Sequence, residues 1–128
     1  MDPMPPDAAA IFDALKPVFA KVAHRLTVKT PTPAVYALVT NSPSRFPQHK
    51  GHPMDFGSVR VGQAYVSLHL MPIYMCPALT SQISPALKMR MQGKSCFNFK
   101  KMPDPALIAE LQQLTEAGFK LWAEKNWI

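Results

Sequence analysis

The segment MQGKSCFNFKKM, residues 91–102, contains three residue types that carry chemistry in other proteins. Gly93, Lys94 and Ser95 match the end of a phosphate-binding loop, which also needs an earlier glycine separated from Gly93 by four residues and a strand that runs into a helix. The earlier position is Lys88, and the predicted order here is helix, turn, strand. The sequence therefore excludes a phosphate-binding loop of this type.

Cys96, in the same segment, is a candidate nucleophile. A cysteine nucleophile needs a base that forms the thiolate and donors that stabilise an oxyanion. His69 can supply the base if its strand lies beside that of Cys96. The alternatives are a cysteine that packs as a small apolar side chain and a histidine held by hydrogen bonds. No nucleophile signature of a known enzyme family surrounds Cys96, so a Cys-His enzyme is a further hypothesis and a non-enzymatic role is favoured.

His49 and His52, in the sequence HKGH, are candidate metal ligands. Two histidines three residues apart can bind one ion, but stable sites use three or four ligands. A metal chaperone that combines these histidines with carboxylates is the second hypothesis for the function. The alternative is a solvated loop over residues 41–53, which is rich in turn-forming residues.

The segment AYVSLHLMP, residues 64–72, alternates apolar and polar side chains as a half-buried strand does. This alternation assigns Val66, Leu68 and Leu70 to the core and leaves the opposite face partly polar. We predict that this partly polar face binds a small molecule or a protein partner, through Tyr36, Arg60, Tyr65, His69 and Cys96. Aromatic and methionine side chains on it would also suit a homodimer.

Helical and strand periodicities define the elements that must position these residues. They predict an amphipathic helix over residues 7–26, strands over 34–40, 54–61, 64–72 and 95–99, and a closing helix from Pro105 to about Lys125. Between the last two strands, CPALTSQI predicts a helical turn and ISPALKMRMQG a helix with Ser84 as N-cap and Gly93 just beyond its end. This order predicts a single α+β domain over residues 1–128, an antiparallel sheet of about four to six strands packed against N- and C-terminal helices.

The composition is that of a globular protein, with 48% hydrophobic and 17% charged residues. The net charge of +6 favours anionic partners, but the basic residues are scattered and no nucleic-acid-binding motif accompanies them, so nucleic acid is not expected as a partner. No apolar run is long enough to cross a membrane, and the N-terminal MDPMPPDAAA lacks an export signal. We therefore expect a cytoplasmic protein with no membrane partner and with reduced cysteines.

From Tyr65 onwards, the segments YVSLHLMPIYM, ISPALKMRMQGKSCFNFKKM and ALIAELQQLTEAGF resemble the YdhG-like domain, a bacterial family of unknown function. Together with LTVKTPTPAVYALV and FGSVRV, the resemblance covers nearly the whole chain. It implies a single α+β domain with an antiparallel sheet and packed terminal helices. One member is described as a frataxin-like intracellular iron chaperone, so iron is implied as a cofactor by analogy. Iron prefers carboxylate oxygens, of which the first helix offers Asp7 and Asp13 beside three basic residues.

Overall fold

The computed structural model describes residues 7–44 and 46–128. Arg45 and the first six residues, on which the expected lack of an export signal depends, lie outside the described residues. The helices are α1 (Ala8–Ala20), α2 (Met71–Met75), α3 (Pro77–Thr80), α4 (Pro85–Lys88) and α5 (Pro105–Glu124). The strands are β1 (Thr27–Thr32), β2 (Val35–Pro43), β3 (Pro53–Val61), β4 (Val66–Leu70), β5 (Met91–Gln92) and β6 (Cys96–Phe99).

The six described strands form one sheet in the order β1-β2-β3-β4-β6-β5. Every neighbouring pair is antiparallel. The helices α1 and α5 pack on one face of this sheet, and their apolar side chains join the strands in one core. The prediction of an α+β fold with terminal helices against an antiparallel sheet is therefore confirmed. We call the other face, which points away from α1 and α5, the outer face.

The core forms because the apolar periodicities of helices and strands meet there. The three apolar residues assigned to the core face of β4, namely Val66, Leu68 and Leu70, are fully buried. The ring of Phe56 lies at the centre of an aromatic cluster, with edge-to-face contacts to Phe19, Phe119 and Trp122. Burial of large aromatic side chains contributes strongly to stability, so this cluster fixes how both long helices lie on the sheet.

Helix α1 ends earlier than the expected residue 26. It stops at Ala20 and is followed by a short 3-10 helix, Ala23–Arg25, before the backbone becomes extended at Leu26. Pro17 lies inside α1 and has no N–H to donate to the preceding turn, which weakens the helix near its end. The chain can then bury Leu26 at the start of β1 rather than continue the helical stripe.

One strand was missed by the sequence analysis, and two expectations about chain segments are wrong. Strand β1 was not predicted, because Pro31 and Pro33 indicate a turn; proline is accepted there since β1 is an edge strand. The expected loop over residues 41–53 is shorter, because β2 extends to Pro43, which pairs with Pro53. Gly93 is not a helix C-cap: α4 ends at Lys88, and Gly93, with φ of 81°, makes the turn between β5 and β6.

A bulge in β3 decides which side chains reach the outer face. Leu38 pairs with Gly57, whereas the next residue of β2, Val39, pairs with Asp55. Phe56 is therefore an extra residue, and both Phe56 and Gly57 point towards the core, where the ring of Phe19 packs against Gly57. As a consequence, Asp55 lies on the outer face with the polar residues that follow in β3.

Candidate ligand-binding site on the outer face

Strand register brings the polar residues of three neighbouring strands into two adjacent rows. His69 of β4 lies directly opposite Ser58 on one side and Cys96 on the other. Side chains at directly opposed positions have Cβ atoms about 5 Å apart. The two rows, each running from β3 through β4 to β6, are Ser58–His69–Cys96 and Arg60–Ser67–Asn98. The strand of His69 therefore lies beside that of Cys96, as the Cys-His hypothesis requires.

These rows line a concave pocket of about 210 Å³ near the centre of the outer face. Three of the predicted ligand-binding residues, Arg60, His69 and Cys96, share this pocket. Three other polar residues line it: Asp55 and Ser58, which were not predicted, and Ser67, which was predicted on this face but not as a ligand-binding residue. Strand alternation with Arg60 and His69 assigns Ser58 and Ser67 to this face, but Asp55 reaches it only because of the bulge.

The other two predicted residues, Tyr36 and Tyr65, lie elsewhere. Tyr36 pairs with the core residue Val59 and is only 8% exposed, on the face covered by α1. The Lys16 ammonium lies 5.3 Å from its ring centroid, and burial raises the pKa of the Tyr36 phenol. Alternation along β2 forces this placement, since the adjacent Ala37 faces the pocket.

Tyr65 directly precedes β4 and lies outside the pocket. Its ring lies 5.6 Å from the Lys100 ammonium, and it lines a separate groove with Asn98 and Gln92. The Tyr65 carbonyl accepts a 2.8 Å hydrogen bond from the Gly62 N–H, which closes the turn between β3 and β4. The structure thus brings together three of the five predicted ligand-binding residues and separates the two tyrosines from them.

The electrostatics of the pocket keep His69 neutral near pH 7. Burial lowers the pKa of His69 from its ordinary value of 6.5; the Asp55 carboxylate opposes this shift, and the Arg60 guanidinium adds to it. A neutral imidazole offers one N–H donor and one acceptor nitrogen.

Among the described residues, Arg60 makes no ion pair, so its guanidinium can bind an anion from solution.

The lowered pKa of His69 predicts a pH dependence of stability. The unfolded chain takes up this proton at a higher pH than the folded protein does, so the free energy of unfolding should fall as the pH decreases through 6.5 towards the folded pKa of His69. Above this pH range the imidazole is neutral in both the folded and the unfolded protein, so the loss of stability is absent. Urea unfolding between about pH 7.5 and pH 5 should show a smaller loss for His69→Asn than for the unmodified protein; equal losses would contradict the assignment.

The two candidate metal ligands, His49 and His52, line a second cavity of about 330 Å³. The imidazole Nδ1 of His49 lies 2.5 Å from the hydroxyl of Ser44. Within residues 7–44 and 46–128, His, Cys, Asp and Glu side chains form no group of three or more that could hold a metal ion. Metal binding by His49 and His52 therefore stays a prediction, without a third ligand of these types beside them.

Comparisons with known proteins give no relative from which a function could be transferred. The chain matches no protein-family model, no curated protein and no solved structure. None of the helices in the described part of the chain combines the length and the apolar character that crossing a bilayer requires.

Proposed function

We propose that the protein is a non-enzymatic binding module that holds a small molecule with an anionic group in the outer-face pocket. The observation that carries this proposal is the convergence of Arg60, His69 and Ser58 in one concave site. The three side chains supply a guanidinium, an imidazole and a hydroxyl, all of which can donate hydrogen bonds to an anion. Arg60 is the anchor, because hydrogen bonds that involve an ionised group are the strongest of these.

Arg60 and the neutral donors beside it favour an anionic group at the Arg60 end of the pocket, away from the Asp55 carboxylate. Arg60 is exposed but lines a concave pocket, where hydrogen bonds from Ser58 and His69 can add to its attraction for an anion. The net charge of +6 also steers anions towards the protein. Ser67, opposite Arg60, already donates a 2.7 Å hydrogen bond to the side-chain amide oxygen Oδ1 of Asn98, so Ser58 and His69 are the freer partners.

Backbone NMR can locate such binding directly. We expect phenylpropionate, or inorganic phosphate, added at millimolar concentration to shift the amide signals of Arg60, Ser67, His69 and Cys96 first. The amide signals of α1 and α5 should move less, because these helices lie on the opposite face of the sheet. Shifts confined to scattered surface lysines, or no shifts with either probe, would contradict the proposal.

A Cys-His enzyme is the second candidate function, and the register of β4 and β6 favours it. His69 lies directly opposite Cys96 and is neutral near pH 7, so its acceptor nitrogen can take up the thiol proton. The site lacks an obvious backbone oxyanion hole, because the N–H groups of central strands are engaged in the sheet. This difference places the enzyme behind the binding module.

Thiol alkylation separates the two candidates. Cys96 is half-buried, whereas Cys76 is 9% exposed, so we expect iodoacetamide to label Cys96 first. For a binding module, the rate at Cys96 should not exceed that of a free thiol such as glutathione, since only an activated thiolate reacts faster near neutral pH. A higher rate that is lost in His69→Asn would favour the enzyme. Cys76→Ser, which keeps Cys96, is the matched control.

The family, the cellular location and the oligomeric state are further proposals. We propose that the chain is a YdhG-like protein of the bacterial cytoplasm, on the strength of segments such as MQGKSCFNFKKM. A homodimer is proposed from exposed apolar side chains, of which Tyr74, Met89 and Met102 are the largest in the described residues. Sedimentation at micromolar concentration tests the dimer, and a monomer at all concentrations would contradict it.

A further inference from the structure

Asp55 lines two cavities, the outer-face pocket and the cavity that contains His49 and His52. The second cavity is mainly apolar, and we call it the methionine cavity after Met54, Met71 and Met75, which line it together with Phe46 and Tyr74. Asp55 lines both cavities, so they meet at this side chain, and we call the two together the cleft. A ligand that extends past Asp55 would contact both.

The charge and polarity of the side chains in the cleft change in a fixed order along strands β3 and β4. Arg60 lies opposite Ser67, and the next row along these strands pairs Ser58 with His69. Asp55 follows beyond the bulge of β3, and Met71 follows at the end of β4. From one end of the cleft to the other, a ligand thus meets a cation, a neutral polar row, an anion and an apolar cavity.

We propose that this cleft binds an aminocarboxylate with an apolar side chain, either a free amino acid or a dipeptide. Its carboxylate lies on Arg60, its ammonium lies on Asp55, and its side chain enters the methionine cavity. This inference rests on the proposed function, because it specifies which small molecule the Arg60 pocket holds.

The charges in the cleft favour a zwitterion over a simple acid. Arg60 and Asp55 line the same pocket with opposite charges, and among the residues that the structure describes neither makes an ion pair. A simple carboxylate would be attracted by Arg60 and repelled by Asp55. A ligand that carries a carboxylate and an ammonium in the matching order gives each of these side chains an opposite charge.

The methionine cavity suits an organic side chain better than a metal ion. Its volume of about 330 Å³ falls at the lower end of ordinary ligand pockets. A metal ion needs several ligand atoms about 2.0–2.3 Å from one point, and in the described part of the chain no group of three or more His, Cys, Asp and Glu side chains could hold one. Methionine side chains adapt to ligand shape and contact aromatic rings favourably, and Tyr74, which is 59% exposed, stands at the rim.

Four probes separate the contributions of the ligand groups: L-phenylalanine, phenylpropionate without the ammonium, phenethylamine without the carboxylate, and glycine without the apolar side chain. We expect L-phenylalanine to bind at least about tenfold more tightly than each of the other three, since each lost group removes one charge-assisted hydrogen bond or its apolar burial. The dipeptide phenylalanylglycine tests the source. Tighter binding than L-phenylalanine assigns a dipeptide, and weaker binding assigns a free amino acid.

The variant Asp55→Asn, which is close in size to the natural side chain, tests the position of the ammonium. It should remove most of the preference for L-phenylalanine over phenylpropionate and leave phenylpropionate binding equal or stronger. Asp13→Asn, at an exposed position on α1, removes the same charge and should keep the preference. Thermal unfolding of both variants checks that they are folded.

Two results would overturn the inference. Equal binding of phenylpropionate and L-phenylalanine, unchanged by Asp55→Asn, would leave an acid-binding pocket without an ammonium site, so the proposed function would stand alone. No binding of L-phenylalanine or the dipeptide at millimolar concentration would also overturn it. The NMR experiment with phenylpropionate and phosphate would then decide the proposed function separately.

Discussion

Replacing Gly57 by alanine is expected to lower the free energy of unfolding by about 3 kcal/mol, the upper part of the range for an overpacked core. A Cβ at this position would lie 2.4 Å from Cε1 and 2.6 Å from Cζ of Phe19, and 2.8 Å from the carbonyl oxygen of His69. Phe19 is fully buried and packs edge-to-face on Phe56, while the His69 carbonyl belongs to a central strand. Neither neighbour can move without loss elsewhere in the core.

Urea unfolding measures this loss, with Gly51→Asn as the control. Gly51 has a positive φ of 81° but no heavy atom within 4 Å of an added Cβ, and asparagine visits this backbone region more readily than other side chains. We expect the control to change the free energy of unfolding by less than about 1 kcal/mol. Equal effects of the two substitutions would contradict the close packing of Phe19 on Gly57.

Replacing Trp122 by alanine is expected to cost about 3–5 kcal/mol, the usual range for a large aromatic residue removed from a core. Trp122 is fully buried in α5. Its ring centroid lies 5.4 Å from that of Phe56 and 5.6 Å from that of Trp127. Its removal would leave a cavity between the closing helix and the sheet. The loss can be measured by urea unfolding or from the decrease in Tm.

Trp122→Phe gives the matched comparison for this residue. The indole N–H of Trp122 has no hydrogen-bond partner among the residues that the structure describes, and an unpaired buried donor is itself destabilising. Phenylalanine keeps an aromatic ring and removes that donor, so we expect a loss of about 1 kcal/mol only. A loss as large as that of Trp122→Ala would contradict this expectation, since the smaller ring would then not fill the site of the indole.

Local sequence patterns predicted those elements in which the apolar periodicity matches the face that is buried. The alternation within β4 and β6 and the long apolar stripe of α5 were correct because each buries one continuous face. The strand predicted over residues 64–72 was too long, since β4 ends at Leu70 and α2 begins at Met71. The end of α1, the edge strand β1 and the turn at Gly93 were missed, since each depends on pairing with residues far away in the chain. Gly93 illustrates the limit: its left-handed backbone was expected, but a helix end and a strand turn both require it.

The candidate site could be predicted in part, for the same physical reason. Arg60, His69 and Cys96 lie at positions of matching alternation, so correct strand assignments were enough to place them on one face. Tyr36 was assigned to this face although its neighbour in β2 points there instead. Asp55 could not be found by alternation, because one extra residue in β3 shifts the pattern between Asp55 and Ser58.

The most direct test of the Arg60 pocket compares two variants that each remove one positive charge from the outer face. Lys29 is exposed on β1, in the same row of the sheet as Ser58, but it does not line the pocket. Calorimetric titration with phenylpropionate should give a Kd at least about tenfold weaker for Arg60→Gln than for the unmodified protein, because a charge-assisted hydrogen bond is lost. Lys29→Gln should change the Kd less than about twofold, since Lys29 lies outside the pocket, two strands away from Ser58, and its charge is screened over that distance. Equal weakening in both variants, or unchanged binding in Arg60→Gln, would contradict a ligand held by Arg60.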